Sequence, residues 1–303
     1  MNLLKRLLKK HHLYDTVPEF VHSNIVYAVL TGSRAYATHD ETSDYDIYAV
    51  CMPSIEHIVP WASGLIPGFN MPDKFPFQQK VFPKMADDNG KEYEITVMSL
   101  AKYIRLCLDG NPNMIDTLFV RDNCVMGLSP QMARIVSHRQ KFLSKLCWHT
   151  FKGYAYGQIK LANNKNPEGK RVELYNKYGF DPKAAMHLVR LIDEVEQLMR
   201  SGTMDLHHNK DFHMSIKKGL VAFSDIRAYF DAKEKVLEAL LASPECKLPD
   251  APDSEFITEL FMQTIEGHYG LKRGVAPDLR AKESELFMEL KRLMNKFDKE
   301  TEQ

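Results

Sequence analysis

Residues Asn24–Cys51, NIVYAVLTGSRAYATHDETSDYDIYAVC, decide the fold and the functional interpretation of this chain. Asn24–Leu30 and Asp44–Cys51 are short apolar runs rich in β-branched residues, and each run predicts a strand. Thr31–Ser33 ends the first run with a glycine-containing turn. We therefore expect two strands of one sheet, joined by this turn and a polar loop.

Two carboxylates in this stretch share one face of the second predicted strand. Side chains two residues apart in a strand point the same way, so Asp44 and Asp46 project together, roughly 6.5–7 Å apart along the backbone. Two unpaired carboxylates repel each other unless a cation lies between them, and their hard oxygens suit Mg²⁺ with phosphate as a further ligand. The pair therefore predicts a site for Mg²⁺ or Mn²⁺ that takes a phosphate-bearing substrate.

The glycine turn supplies groups that can bind this phosphate. Gly32 lets the backbone approach closely, and the Ser33 hydroxyl and local N–H groups can hold phosphate oxygens. Arg34 adds a guanidinium fork for the same group. Each motif alone is weak, because Gly-Ser is a common turn and an acidic pair at a strand start is often solvated. Together, with a strand on each side, they favour a functional site.

A third predicted strand offers the further carboxylate that a two-metal site requires. Glu92–Met98 alternates polar and apolar residues, which places Glu92 and Glu94 on one face. We assign Glu94, which lies nearer the middle of the strand, whereas a register shift of two residues would select Glu92. Ser99 then caps a helix that ends at Gly110.

The remainder of the chain is predicted to be irregular or helical. Residues 55–83 are rich in proline and aromatic residues, which predicts a long irregular insertion. Hardly any strand is expected after about Met126. Helical patterns lie at Gln131–Trp148, Thr150–Asn163, Pro182–Ser201, Phe212–Phe230, Lys233–Ala242, Ser254–Gly267 and Ala281–Phe297.

Two groups in the helical half could carry chemistry. Lys183, His187 and Arg190 lie at i, i+4 and i+7 and share one helix face, which could contact a nucleobase, a triphosphate or an acceptor. A solvated polar face explains this spacing equally well. The histidines within His207–His213 follow a helix end without fixed ligand spacing, so we expect exposed loop histidines there and no metal site.

The composition is that of an ordinary globular protein. The 303 residues include 40 Lys+Arg and 40 Asp+Glu, so no global positive field exists to attract nucleic acid or anionic membrane. The longest uncharged stretch, His57–Pro72, is interrupted by prolines and is shorter than the ~20 residues that span a bilayer. The N-terminus has no apolar run typical of a secretory signal. We expect a cytoplasmic protein.

Together these motifs resemble the nucleotidyltransferase motif of the DNA polymerase beta superfamily: Gly-Ser, then Asp-x-Asp on the next strand, then a carboxylate on a later strand. More narrowly, GSRAY and SDYDI resemble the core of the nucleotidyltransferases called RlaP or YcgL-like. SLAKYIRLCLDGNPNMIDTLF, GYAYGQ and KAAMHLVRL are also similar to that family, so the resemblance spans most of the chain. Ala37 departs from the family pattern, which usually has glycine at this place.

The resemblance implies an α/β fold, with a polymerase-beta-like nucleotidyltransferase head followed by a mostly α-helical C-terminal domain that closes over the nucleotide. We expect an N-terminal amphipathic helix at residues 1–19, the nucleotidyltransferase domain at 20–125 and the helical domain at 126–303. The expected reaction is metal-dependent transfer of a nucleoside monophosphate from a nucleoside triphosphate to an acceptor hydroxyl.

The resemblance also assigns roles to individual residues. Gly32 and Ser33 would bind the triphosphate. The resemblance also slightly favours contacts between the nucleotide and the group Lys183, His187 and Arg190. The metal ligands, and thus the catalytic residues, would be Asp44, Asp46 and Glu94.

Several alternatives stay open at this point. The acceptor is RNA, a protein or a small molecule, and neither a membrane nor an obligate protein partner is expected. An inactive module that binds nucleotide or RNA, or a nucleotide phosphohydrolase using the same metals, would have a similar sequence.

Overall fold

The computed structural model describes residues 2–58, 77–164, 169, 171–270 and 288. The chain divides into two compact units, Met1–Phe261 and Met262–Gln303. The first unit includes the sheet and most of the helices, and the features below belong to it. The predicted domain boundaries at residues 19 and 125 both fall inside this unit and stay predictions.

A mixed sheet forms the centre of the first unit, with six strands in the described residues. The strand order is β3-β5-β2-β1-β6, and β4 pairs with β5. β2 and β5 run parallel, whereas the other pairs are antiparallel. The strands are β1 Ile25–Leu30, β2 Tyr45–Cys51, β3 Gln79–Val81, β4 Met85–Ala86, β5 Glu92–Ser99 and β6 Val125–Leu128.

Helices pack on both faces of the sheet, and the regular structure described after β6 is entirely helical. The head carries α1 Asn2–Lys10, α2 Phe20–Ser23, α3 Gly32–Ala35, α4 Ile55–Ile58, α5 Leu100–Leu108 and α6 Pro112–Leu118. The helical half carries α7 Pro130–Ser137, α8 Leu146–Ala162, α9 Arg171–Tyr178, α10 Pro182–Ser201, α11 Lys210–Lys217, α12 Phe223–Leu241 and α13 Ser254–Tyr269. This agrees with the predicted architecture, an α/β head followed by a mostly α-helical region.

The N-terminal helix is part of the hydrophobic core. Leu4, Leu7 and Leu8 of α1 are buried in one cluster with Ile47 of β2 and Ile95 of β5. Its lysines lie on the outside, and Lys10 pairs with exposed Asp88 at 2.8 Å. The leucines therefore dock the helix on the sheet.

Three predicted helices have different bounds in the structure. The pattern at Gln131–Trp148 is interrupted after α7 by a 3₁₀ turn and by extended Leu143, so α8 begins at Leu146. The pattern at Phe212–Phe230 is divided because Gly219 has φ +71° and ends α11. α12 then continues through the helix predicted at Lys233–Ala242. The helix predicted at Ala281–Phe297 lies outside the described residues, apart from Met288.

The long helix α10 is the centre of the helical half. It packs against α8, α11 and α12, and its bounds agree with the sequence prediction. The Oδ1 of Asp181 accepts hydrogen bonds from the N–H groups of Lys183 and Ala184, and Gly202 ends the helix in the left-handed conformation. Because helices pack around it, much of its polar face is buried.

One expectation about the histidine-rich connector was wrong. His213 is buried on α11, and its Nε2 lies 3.0 Å from Asp193 Oδ2 on α10. Tyr229 and Lys233 of α12 donate to the other oxygen of Asp193, at 2.7 and 2.9 Å. These hydrogen bonds hold the pKa of Asp193 at about 2 although burial opposes its charge. His213 therefore joins α11 to α10 as a structural residue.

Ala37, the departure from the family pattern, has a strained backbone. Its φ is +53°, in the left-handed region that disfavours side chains. We expect Ala37→Gly to raise the free energy of unfolding by about 0.5–1 kcal/mol, because relief of this strain exceeds the entropy that glycine adds to the unfolded chain. Urea denaturation measures the change, with Ala35→Gly in α3 as the control that should destabilise. Equal losses in both variants would contradict the prediction.

None of the helices within the described ranges has the length and apolar character needed to cross a bilayer.

Candidate nucleotide site

The glycine turn lies directly against the second strand. Thr31 N–H donates to the Asp46 carbonyl at 2.8 Å, which ties the end of β1 to the start of β2. Gly32 follows with φ +59°, and a Cβ atom there would overlap the Oδ2 of Asp46. Both the backbone angle and the lack of space therefore require glycine at this position.

The parallel pairing of β2 with β5 places two carboxylates side by side. Asp46 is level with Glu94, and Tyr48 is level with Thr96 one pleat further along. Paired residues of adjacent strands share a face, and this face points away from the core that buries Ile47 and Ile95. The register thus gives an acidic pair followed by Tyr48 and Thr96 on one surface.

A cavity of about 310 Å³ lies over this surface. The β1–α3 turn, the two strands, α6, α8 and α10 form its walls. The lining residues are Thr31, Gly32, Tyr36, Asp46, Ile47, Tyr48, Glu94, Thr96, Asn113, Tyr154, Gln158, His187, Arg190 and Leu191. All five stretches quoted for the family resemblance contribute to this lining, although they are far apart in sequence.

The acidic pair is electrostatically unfavourable as it stands. Burial raises the pKa of Asp46, and the nearby negative charges of Glu94 and Asp44 raise it further. The positive charge of Lys183 on α10 opposes this rise in pKa, so Lys183 lies near the acidic pair. Lys183 is not among the residues that line the cavity. An additional cation at the pair would therefore be stabilised.

Asp44, the other predicted metal ligand, is not in the cavity lining. Its carboxylate forms an ion pair with Lys84, whose Nζ is also 3.7 Å from Glu92 Oε2. Among the described residues, no three Asp, Glu, His or Cys side chains are placed to hold one ion. The three-carboxylate set stays a prediction, and Asp44 would have to exchange Lys84 for a metal.

The residues present nevertheless suit a divalent cation. Asp46 and Glu94 offer adjacent carboxylate oxygens beside a cavity of ligand size, and Mg²⁺ is commonly held by one or two carboxylates together with substrate phosphates.

Arg34 does not line the cavity; it binds the loop that precedes β2. Its Nε donates to the Asp44 carbonyl at 3.2 Å and its Nη2 to the Ser43 carbonyl at 2.9 Å, and the guanidinium lies 3.4 Å from the centre of the Tyr45 ring. Ser33 is half-buried beside it. The contacts of Arg34 are those of a structural residue, and its predicted role in nucleotide binding stays a prediction.

A substitution separates these two roles of Arg34. We expect Arg34→Ala to lower the free energy of unfolding by about 1–3 kcal/mol, because two carbonyls lose a charged donor. Ser33→Ala is the neighbouring control and should change it by about 0.5 kcal/mol or less. Urea denaturation gives the stability, and calorimetric titration with a non-hydrolysable triphosphate gives the affinity. Unchanged stability with weakened affinity would indicate direct binding of the nucleotide by Arg34.

Arg190 lines the cavity from within a buried ionic network. Its Nη1 lies 2.8 Å from Asp116 Oδ2 and 2.7 Å from Glu194 Oε1, and its guanidinium lies 4.1 Å from the centre of the Tyr36 ring. The Tyr36 hydroxyl donates to the same oxygen of Asp116 at 2.5 Å. Burial raises the pKa of Asp116 and of Glu194, and the nearby charge of Asp116 raises that of Glu194 further, whereas Arg190 opposes both shifts.

Two buried polar atoms of the network have no hydrogen-bond partner among the residues that the structure describes. These are the Nε of Arg190 and the Oδ1 of Asp116. His187, one turn before Arg190, also lines the cavity, and burial together with the positive charge of Arg190 lowers its pKa well below the ordinary value. His187 is therefore a neutral imidazole in this wall.

Sequence reasoning missed several residues at the site. Lys84 lies beside the proline-rich insertion, where no periodic pattern indicates its position. Tyr36, Asp116 and Gln158 lie inside the stretches that carry the family resemblance, so the resemblance was the signal that could have found them. Glu194 follows Arg190 by four residues, the spacing of a helical ion pair.

The mixed sheet, the glycine turn and the acidic strand pair are the head of a polymerase-beta-like nucleotidyltransferase. The family model RlaP, described as the RNA repair pathway DNA polymerase beta family, matches residues 2–239. The chain belongs to this family, which lies in the polymerase beta nucleotidyltransferase superfamily. No curated protein matches the chain.

Proposed function

We propose that the protein transfers a nucleoside monophosphate from a nucleoside triphosphate to an acceptor hydroxyl, with Mg²⁺ or Mn²⁺ as cofactor. One observation carries the proposal: Asp46 and Glu94 lie level on parallel strands at the edge of a cavity, directly beside the Gly32 turn. Membership of the nucleotidyltransferase superfamily supports the same class of reaction.

Each group in the cavity has a role in this reaction. Asp46 and Glu94 would hold the cation, which when bound lowers the pKa of the attacking hydroxyl and neutralises the leaving pyrophosphate. The backbone at Gly32, with the Ser33 hydroxyl, binds the triphosphate. The hydroxyl oxygen bonds to the α-phosphorus while the bond to pyrophosphate breaks, and Glu94, which lines the cavity, would take the hydroxyl proton.

The α10 wall contributes positive charge and a hydrogen-bonding group. Arg190 lines the cavity, and Lys183 acts on Asp46 from the start of the same helix. Both cations would attract the triphosphate, and neutral His187 would accept or donate one hydrogen bond to the nucleotide.

A nucleotide-binding module without transfer activity is the second candidate. The ion pair between Asp44 and Lys84 favours it, because that pair engages one of the three predicted metal ligands. The two candidates differ in whether a covalent product forms.

The experiment that separates them incubates the protein with each α-labelled triphosphate, Mg²⁺ or Mn²⁺, and RNA or lysate. A labelled acceptor supports transfer and identifies whether the acceptor is RNA, protein or a small molecule. A labelled monophosphate alone would indicate a phosphohydrolase, and binding without any product would indicate the module.

A pair of variants tests the third carboxylate. We expect Glu94→Gln to reduce the rate of transfer by orders of magnitude at unchanged nucleotide affinity, because its role begins when the nucleophile is activated. Glu92→Gln is the matched control: Glu92 is exposed, lies two residues away and faces Lys84, so its loss should cost little. Single-turnover rates and calorimetric titration measure both quantities. The reverse pattern would assign the role to Glu92.

A further inference from the structure

The cavity has two chemically different ends. The acidic end is formed by Asp46 and Glu94 beside Gly32. One pleat further along the strands, Tyr48 and Thr96 continue the same face without a charge. Side chains from α6 and α8 complete this second part, which we call the amide end and which consists of Tyr48, Thr96, Asn113, Tyr154 and Gln158.

The amide end contains two carboxamide side chains. Asn113 on α6 and Gln158 on α8 both line the cavity, and neither side chain has a hydrogen bond within the described part of the chain. A carboxamide offers donors on its nitrogen and an acceptor on its oxygen, and both are half-buried here. Hydrogen-bonding capacity of this kind is available to a ligand.

One aromatic residue of the amide end, Tyr154, is held in place by a hydrogen bond. Tyr154 and Gln158 are four residues apart on α8 and therefore share a helix face. Asn111, which caps the N-terminus of α6, donates its Nδ2 to the Tyr154 hydroxyl at 2.8 Å. This bond joins α6 to α8 and fixes the ring of Tyr154 relative to Asn113.

We infer that the amide end binds the nucleobase of the triphosphate and that Asn113 and Gln158 select it. The inference rests on the proposed function, since it takes the triphosphate to lie at the acidic end. A carboxamide complements a base edge that places a donor next to an acceptor, and aromatic rings such as Tyr48 and Tyr154 provide stacking surface for any base. The carboxamides therefore set which base is preferred, whereas the tyrosines add affinity without selectivity.

The experiment compares four nucleoside triphosphates with inorganic tripolyphosphate, which has no base, by calorimetric titration of the full chain with Mg²⁺. The variants are Asn113→Leu and Gln158→Met, which keep the approximate size of each side chain. Gln140→Met, on an exposed residue outside the cavity, is the control. Circular dichroism and thermal melting establish that each variant is folded.

We expect the wild-type protein to prefer one base by about 5- to 150-fold. Each cavity variant should weaken binding of that triphosphate and reduce the preference about fivefold or more, while the affinity for tripolyphosphate stays the same. The control should behave as wild type.

Four outcomes would overturn the inference. Equal binding of all four triphosphates by the wild type, or a preference retained in both variants, would remove the selecting role and leave the proposed function standing. Parallel loss of tripolyphosphate binding in the variants would mean that these residues act on the phosphates. Failure of the wild type to bind either kind of probe would overturn the proposed function together with the inference.

Discussion

Asp46→Asn is expected to reduce nucleotidyl transfer about 10³-fold or more while the protein stays folded. The carboxylate is level with Glu94 and adjoins Gly32, so its loss removes half of the acidic pair at the proposed reacting centre. The midpoint of unfolding should stay the same or rise slightly, because burial and repulsion from Glu94 already raise the pKa of this group. Single-turnover transfer and thermal melting with and without Mg²⁺ measure both effects.

Two other carboxylates serve as comparisons for this variant. Asp44→Asn should also abolish transfer if Asp44 exchanges Lys84 for the cation, and it should leave stability nearly unchanged because the pair is partly exposed. Glu41→Gln, in the exposed loop that precedes β2, should retain full activity. Transfer by both Asp variants at saturating Mg²⁺ would show that this acidic surface is not a metal site.

Arg190→Met is expected to have the largest effect on stability, a loss of about 3–5 kcal/mol in the free energy of unfolding. Removal of the guanidinium leaves Asp116 and Glu194 buried without their shared cation. Urea denaturation measures the loss. Adding Glu194→Gln to this variant should recover part of the lost stability, because the second substitution removes one of the two buried, unpaired carboxyl groups.

The same helix provides a matched control for Arg190. Arg200 forms an i,i+4 ion pair with Glu196 at 2.8 Å. The exposed fraction of the Arg200 side chain is 48%, whereas that of Arg190 is 6%. Arg200→Met should therefore cost about 0.5 kcal/mol or less. Similar losses in the two variants would mean that the buried network contributes no more than an exposed pair.

Much of the acidic surface could be predicted from the sequence because it depends on local patterns. Alternation of polar and apolar residues places Asp46 on the polar face of β2 and Glu94 on the polar face of β5. The structure adds their relative height, which is set by seven consecutive β2–β5 pairs and is not contained in either strand alone. The sequence alone therefore could not show that Glu94, and not Glu92, lies level with Asp46.

The buried network could not be predicted in the same way. Helical spacing placed Arg190 on a face with Lys183 and His187, and that face suits solvent as well as a ligand. Its burial depends on Asp116, 74 residues earlier in the chain, and on the neighbouring helices. Arg34 illustrates the opposite case, because a charged side chain beside a glycine turn can bind either a phosphate or nearby carbonyls, and local sequence does not distinguish them.

The ionic bonds of Arg190 also determine how the cavity responds to a ligand. They hold Tyr36 of the head against α10 of the helical half, so this wall is ordered before anything binds. Side chains that are already fixed lose little rotamer entropy on association, so more of the gross contact energy is retained as affinity. On this side the cavity would accordingly act as a preformed receptor, because its wall is fixed by contacts within the protein.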